Sequence, residues 1–432
     1  MVSKFTHSEK QIVGAFLALK LLVHFLTNTI YTFHRDEFLY LDEGNHLSWG
    51  YLEVPPLIPF LGKVVTSIFG DSVFSVRLLP ALTGAIVLVL VARLVKELGG
   101  GKWALILACT AFLTSLAFLR TSTLFQPVGL DVLWWVLMAL LTVLILKYNH
   151  RRDYYFLGLV IGLGWLTKYS IGFMVFALLA GVLLTPQRRQ LSTKGLLIAA
   201  VVALCIALPN LYWQYAHNFP VVTHMRELAS TQLVHVEPSG FLINQLLMHF
   251  SSALIWIPGV LWLLFAQQTK PYRYLGWTYI LVVGIILFLH GKDYYTLGVY
   301  PVMMAGDARL LSRPDSRALR CADRSLPSLQ AQRLHAGRNG RAAPHRDRRQ
   351  HGELLLLGCG RLTRRVQLQR GAALDPQRAA DSSARLWTGA RSRTGVASRT
   401  AGAECHAPRP PERRSPRLAG AALRHRTHPL SD

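Results

Sequence analysis

Eight apolar stretches of roughly membrane length recur in the chain, near residues 11–32, 79–98, 103–119, 128–147, 154–184, 195–213, 250–268 and 274–290. A hydrocarbon core about 30 Å thick takes roughly 20 helical residues to cross. Backbone polar groups at that depth must be satisfied inside the protein, which favours helices over open strands. The expected fold is therefore an all-α polytopic membrane protein. Composition agrees, since 51% of the residues are hydrophobic and only 16% charged, a balance that soluble domains rarely show. Lys4 and Lys10 precede the first run, which lacks a small-residue cleavage site, so it reads as a retained helix.

The chain joins two different polymers. Residues 1–304 contain all 11 Lys, 10 of the 36 Arg, 13 acids and nearly every aromatic residue. Residues 305–432 contain 26 Arg against 10 acids, no Lys, Ile, Phe, Tyr or Met, and one aromatic, Trp387. Most of the net charge of +24 therefore lies in the tail. The change falls inside an apolar segment, Tyr300-Pro301-Val302-Met303-Met304-Ala305-Gly306. Loss of whole residue classes at that point reads as wrong-frame translation, ahead of a basic tail that binds RNA or anionic lipid. The division expected is a membrane module over 1–304 and an Arg-rich, low-complexity, disordered tail over 305–432. Five cysteines, none in a Cys-x-x-Cys pair, suggest neither a disulfide framework nor a zinc knot.

The stretch 154–184 is long enough for two short helices. Gly162, Gly164 and Lys168-Tyr169 within it predict a tight re-entrant hairpin with its tip near Lys168. About nine helices result, with a tenth incomplete over residues 300–305. Four loops are basic: Arg93, Lys96 and Lys102; Lys147, Arg151 and Arg152; Arg188, Arg189 and Lys194; Lys270 and Arg273. The positive-inside rule places these loops and the N-terminus in the cytoplasm. Segments 33–78, 120–127, the hairpin tip, 214–249 and 290–295 then face outward.

The first outward segment is the richest in chemistry. Asp36-Glu37 lies near the outer end of the first helix, where a half-sheltered carboxylate suits a general base. Trp49-Gly50-Tyr51-Leu52-Glu53-Val54-Pro55-Pro56-Leu57 follows, and proline restricts its own φ and the residue before it, giving a shaped loop. Val64, Val65, Ile68 and Phe69 beside Lys63 predict an amphipathic helix in the membrane interface.

Asp36-Glu37, His46-Leu47-Ser48-Trp49-Gly50-Tyr51, Pro55-Pro56-Leu57 and Arg77-Leu78-Leu79-Pro80 together resemble the first outer loop of bacterial glycosyltransferase family 39. That family includes relatives of protein O-mannosyltransferases and aminoarabinose transferases. The similarity continues through Leu133-Trp134-Trp135, Gly162-Leu163-Gly164-Trp165-Leu166-Thr167-Lys168-Tyr169, Leu208-Pro209-Asn210-Leu211-Tyr212-Trp213-Gln214 and Lys292-Asp293-Tyr294-Tyr295. It covers about residues 10–304.

The resemblance implies a GT-C-type transmembrane bundle in the cell inner membrane, with its active loop on the periplasmic or exterior face. The implied reaction moves a sugar from a polyprenyl-phosphate carrier to a lipid, glycan or protein acceptor. Asp36 is then the catalytic carboxylate, with Glu37 beside it and Asp131 as a second acidic position. A carrier phosphate takes cationic donors, and the outward-facing candidates are Arg35, Arg77, Arg120, Lys168, Arg226 and Lys292, with Lys292 favoured inside its Lys-Asp-Tyr-Tyr match and Tyr294 beside it as a substrate contact. Glu53 and His224 resemble the ligands of a divalent metal, zinc or magnesium/manganese. Val54 departs from the basic or His residue often found at its place in relatives. The expected partners are membrane lipid, the donor and the acceptor, with no nucleic acid. Two other readings compete: a polytopic lipid or solute transporter, which usually shows paired broken helices in two related halves, and an inactive truncated glycosyltransferase.

Overall fold

The computed structural model describes residues 4–307 of the protein, which are helical throughout with no strand among them. The tail expected over 305–432 lies, from residue 308 on, outside the described residues. In chain order the first helices are α1 (His7–Thr27), α2 (Arg35–Asn45), α3 (Leu57–Phe69), α4 (Val73–Glu97), α5 (Lys102–Thr114) and α6 (Leu116–Thr121). Next come α7 (Pro127–Tyr148), α8 (Arg151–Thr167), α9 (Ile171–Leu183), α10 (Thr193–Ala216) and α11 (Pro220–Thr231). The last are α12 (Pro238–Met248), α13 (Ala253–Phe265), α14 (Arg273–Phe288) and α15 (Tyr300–Asp307).

Among the described residues five helical segments are long and apolar enough to cross a membrane: α1, α4, α7, α10 and Gln267–Phe288, which contains α14. A sixth arises if the pair α12 and α13, bent by 63° at its break, counts as one span. The protein is thus a multi-span membrane protein. α4 and α7 lie deepest, with Leu88, Val91, Leu94, Trp135, Val136 and Ala139 fully enclosed. A helix apolar on all sides belongs at the centre of such a bundle.

Two expected runs are divided. The stretch near 103–119 breaks at Ser115, whose extended backbone separates α5 from α6. Its hydroxyl lies 2.8 Å from His249 Nδ1. The stretch 154–184 breaks at Lys168, as its sequence suggested, with α8 packed chiefly on α10 and α9 on α14. α11 and α12 occupy a segment read from sequence only as an outer loop, because polar residues mask their short apolar faces.

Charged interhelical contacts concentrate at two ends. At one, Glu9 takes Lys96 at 2.7 Å, and Glu97 takes Lys147 at 2.8 Å as well as Arg93 of its own helix. These join the start of α1 and the ends of α4 and α7. At the other end α2, α3, the α6–α7 turn, the α8–α9 break, the end of α10 and the 3-10 stretch Asp293–Val299 converge. The segment beyond α10's end joins that second end through Gln232, Asn244 and Gln245, which bond Lys292, Asp293 and Thr296.

Candidate active site

The start of α2 is fixed by a reciprocal cap. His34 Nδ1 accepts the Asp36 amide at 3.2 Å, and Glu37 accepts the His34 amide at 2.8 Å. Glu37 is fully buried and takes a bidentate pair from Arg77, with Nε at 3.1 Å and Nη2 at 2.8 Å. It also accepts the Phe125 amide at 2.9 Å. The remaining donors of Arg77 go to the carbonyls of Asn28, Tyr31 and Thr32 at 2.7, 2.9 and 2.8 Å. A guanidinium has five N–H groups, and all five are engaged here. Glu37 and Arg77, both expected in the site, thus hold each other and anchor the loop.

Asp36, one residue earlier, turns the other way. Its side chain is one-third exposed. Oδ1 accepts from Arg35 Nε at 3.2 Å, and Oδ2 accepts from Gln126 at 2.8 Å, which ties α2 to the first turn of α7. Residues 36, 40 and 43 share one helix face. Tyr40 is buried, and its phenol is pushed up by burial first, then by the charges of Asp36, Glu53 and Glu43. The Glu43 carboxyl is pushed up to about 7 by burial, with Glu53 and Asp42 adding repulsion. Its Oε2 is buried and has no hydrogen-bond partner.

The Pro-Pro loop is held from both sides. Tyr51 Oη accepts the Ser48 amide at 3.0 Å and donates to the Glu43 carbonyl at 3.0 Å. Asn210 of α10 donates to the Trp49 carbonyl at 2.7 Å. Asn210 Oδ1 in turn accepts from Trp165 and from Tyr169, each at 3.2 Å. Gly50 lies so close to the Trp213 indole that a Cβ there would overlap the ring.

Facing this loop is the α8–α9 break. Lys168 Nζ is buried without a hydrogen-bond partner, 4.4 Å from the Tyr295 ring centroid and 5.2 Å from that of Tyr294. Such cation–ring approaches are favourable when desolvated. The two rings meet edge to face at 4.8 Å. Tyr294 feels burial, Tyr295, Tyr40 and Asp36, all of which raise its phenol. Burial pushes the Lys168 ammonium below its ordinary range, with Asp131 opposing and Lys292 adding to the shift. Asp131 is 5% exposed, and its two oxygens accept from Trp135 at 2.9 Å and Ser170 at 2.8 Å. It stands behind Lys168 as a counter-charge. Lys292, half-buried, donates from Nζ to Gln232 at 2.7 Å.

One electrostatic neighbourhood thus gathers Asp36, Tyr40, Glu43, Glu53, Lys168, Tyr294, Tyr295, Asp131 and Lys292. Sequence reading missed Tyr40, Glu43, Gln126 and Tyr295 as site members. The i, i+4, i+7 spacing from Asp36 was the available signal for the first two. His224 lies half-buried on α11. Among the described residues no group of three or more His, Cys, Asp and Glu side chains could hold a metal ion. A zinc centre draws three or four protein ligands, so Glu53 and His224 as placed do not fit a resident zinc ion.

The comparisons with known proteins bear on this arrangement. The family model described as dolichyl-phosphate-mannose-protein mannosyltransferase matches residues 53–213. Lipid A galacturonosyltransferase RgtD of Rhizobium johnstonii is 30% identical over 204 residues, which are 46% of this chain and 41% of the relative. The chain is thus similar to this family over the matched residues. An undecaprenyl phosphate-alpha-4-amino-4-deoxy-L-arabinose arabinosyl transferase of Pectobacterium carotovorum is 28% identical over 243 residues, 52% of this chain and 43% of the relative. The crystal structure of ArnT from Cupriavidus metallidurans bound to undecaprenyl phosphate superposes with a TM-score of 0.55 at 19% identity. That likeness covers 77% of this chain and 66% of ArnT. The chain spans less than half the length of these two curated relatives. In this family-39-like module the matched segment starts at Glu53, so α2 with Asp36 precedes it.

Proposed function

We propose that the protein is a polyprenyl-phosphate-sugar-dependent glycosyltransferase, moving a hexosyl or pentosyl group to a lipid, glycan or protein acceptor. Residues 1–304 form the catalytic module in the cell inner membrane, with the N-terminus cytoplasmic and the α2–α3 loop on the periplasmic or exterior face. The carrying observation is the one-third-exposed Asp36 carboxylate, whose charge bears on Tyr294, with the buried, unbonded Lys168 Nζ against the Tyr294–Tyr295 pair. A base and a cation flanking the same tyrosine suit sugar transfer from a phosphate carrier.

In this reading Asp36 accepts the proton of the acceptor hydroxyl as its oxygen attacks the anomeric carbon. The bond from that carbon to the carrier phosphate oxygen breaks, and the phosphate leaves with the electron pair. Lys168 and Lys292 balance the charge on the departing phosphate, charge-assisted contacts being the strong ones. Asp131 opposes the loss of the Lys168 charge that burial favours. Gln126 fixes the Asp36 oxygen, and the Asn210 and Trp213 contacts hold the adjoining loop, so most of the catalytic effect comes from positioning two substrates. The names of the relatives, a lipid A galacturonosyltransferase and an undecaprenyl-phosphate arabinosyl transferase, support a lipid-linked donor or acceptor.

The test is sugar transfer by membranes containing Asp36→Asn, assayed with polyprenyl-phosphate sugars. Loss of transfer by a factor of about 10² or more is expected for removal of a general base, with membrane insertion and donor binding kept. Full transfer by that variant would refute the assignment.

A further inference from the structure

The stretch Asp293–Val299 carries the Tyr294 and Tyr295 rings, yet it is a 3-10 helix. Its own hydrogen bonds are poorer in geometry than those of an α-helix, so its position depends on what it rests against. One support is α7, where a Cβ at Gly298 would stand 2.6 Å from the Trp135 indole. The other is α12, the outer arm of the bent helix pair, and nothing in the proposed mechanism uses it.

Gln245 of α12 is 4% exposed. Its Oε1 accepts from Thr296 at 2.6 Å and from Tyr300 at 2.7 Å, and its Nε2 donates to the Asp293 carbonyl at 3.2 Å. The neighbouring Asn244 donates to Asp293 Oδ2 at 2.8 Å, while Asp293 Oδ1 accepts the Tyr294 amide at 2.7 Å. One buried amide therefore grips both the start of the 3-10 stretch and the residue that begins α15. A buried polar group left without partners costs more than an apolar residue in the same space, so this amide is suited to fixing orientation.

We propose that Gln245 and Asn244 are positioning residues for the phosphate end of the site, clamping the segment from Lys292 to Tyr295 so that both tyrosine rings face Lys168. Neither touches the reacting atoms. The ligand in this inference rests on the function proposed above; the clamp itself rests on the hydrogen bonds alone.

The experiment uses the full chain in lipid nanodiscs, with undecaprenyl phosphate as the binding probe and hydrogen exchange of residues 293–297 as a second readout. Gln245→Leu is expected to weaken probe binding at least tenfold and to speed exchange in this segment. Gln245→Glu, which keeps the acceptor for Thr296 and Tyr300 but loses the donor to the Asp293 carbonyl, is expected to fall between wild type and Gln245→Leu in both. Lys168→Met serves as a control that lowers binding and leaves the exchange of 293–297 unchanged. If Gln245→Leu fails to insert, Asn244→Leu takes its place, since it removes a single hydrogen bond at the partly exposed edge. Unchanged exchange in these variants would overturn the clamp, as would wild-type binding in a variant whose exchange has risen. If wild-type protein itself binds no probe, the proposed function falls, and the exchange result still decides the clamp.

Discussion

Replacing Arg77 by Met separates the two roles that this residue could play. The side chain is 2% exposed and makes two hydrogen bonds to Glu37 and one to each of three carbonyls. Methionine fills similar length and supplies no donor. Glu37 would then remain a buried carboxylate with only the His34 and Phe125 amides. Breaking a buried ion pair by removing one partner costs about 3–5 kcal/mol, and the carbonyls of residues 28, 31 and 32 lose their partner as well. Unfolding in mixed detergent and dodecyl sulfate micelles would measure that loss. A double mutant Arg77→Met with Glu37→Gln should recover part of it, because the uncompensated charge is gone, giving a coupling of about 1 kcal/mol or more. Transfer activity should fall in the single variant through displacement of α2, with kcat affected more than the donor KM. A variant of wild-type stability with a raised donor KM would refute the anchoring role and restore Arg77 as a phosphate contact.

Glu43→Gln tests the acidic face of α2. The folded carboxyl, pushed up to about 7, binds its proton more tightly than the unfolded chain does. Its stabilising effect is thus full below the ordinary carboxylate range and lost as pH rises through 7. Wild type should lose stability between pH 5 and 8.5 relative to Glu43→Gln, and identical slopes in detergent unfolding would contradict this. Gly50→Ala should cost about 1–3 kcal/mol, the usual penalty for overpacking, and lower transfer, since the new methyl meets the Trp213 indole. Recovery of activity on adding Trp213→Ala would confirm that contact as the cause. Lys168→Met should raise the donor KM about tenfold or more, equivalent to about 1.4 kcal/mol, and Lys168→Arg should not restore it, because Arg does not fit where Nζ is enclosed by two rings.

Apolar periodicity is a local property, so the sequence alone located α1, α4, α7, α10 and α14 and the break at Lys168. The Pro-Pro loop and Asp36 were legible for the same reason: proline and a helix-end carboxylate act within a few residues. α11 and α12 were not legible, because their apolar faces are short and interrupted by polar residues. The partner of a charge is not a local property either. Arg77 and Lys168 both read as outward cations suited to phosphate, yet packing gives Arg77 a carboxylate 40 residues away and leaves Lys168 Nζ without a hydrogen bond beside two tyrosines from a distant segment. Glu37 and Asp36 are adjacent in the chain, but the helical turn of about 100° per residue sends one into the bundle and the other toward the cleft. Which of two neighbouring carboxylates could act as a base was decided by the helices that α2 packs against, since burial and partners, unlike residue type, exist only in the folded chain.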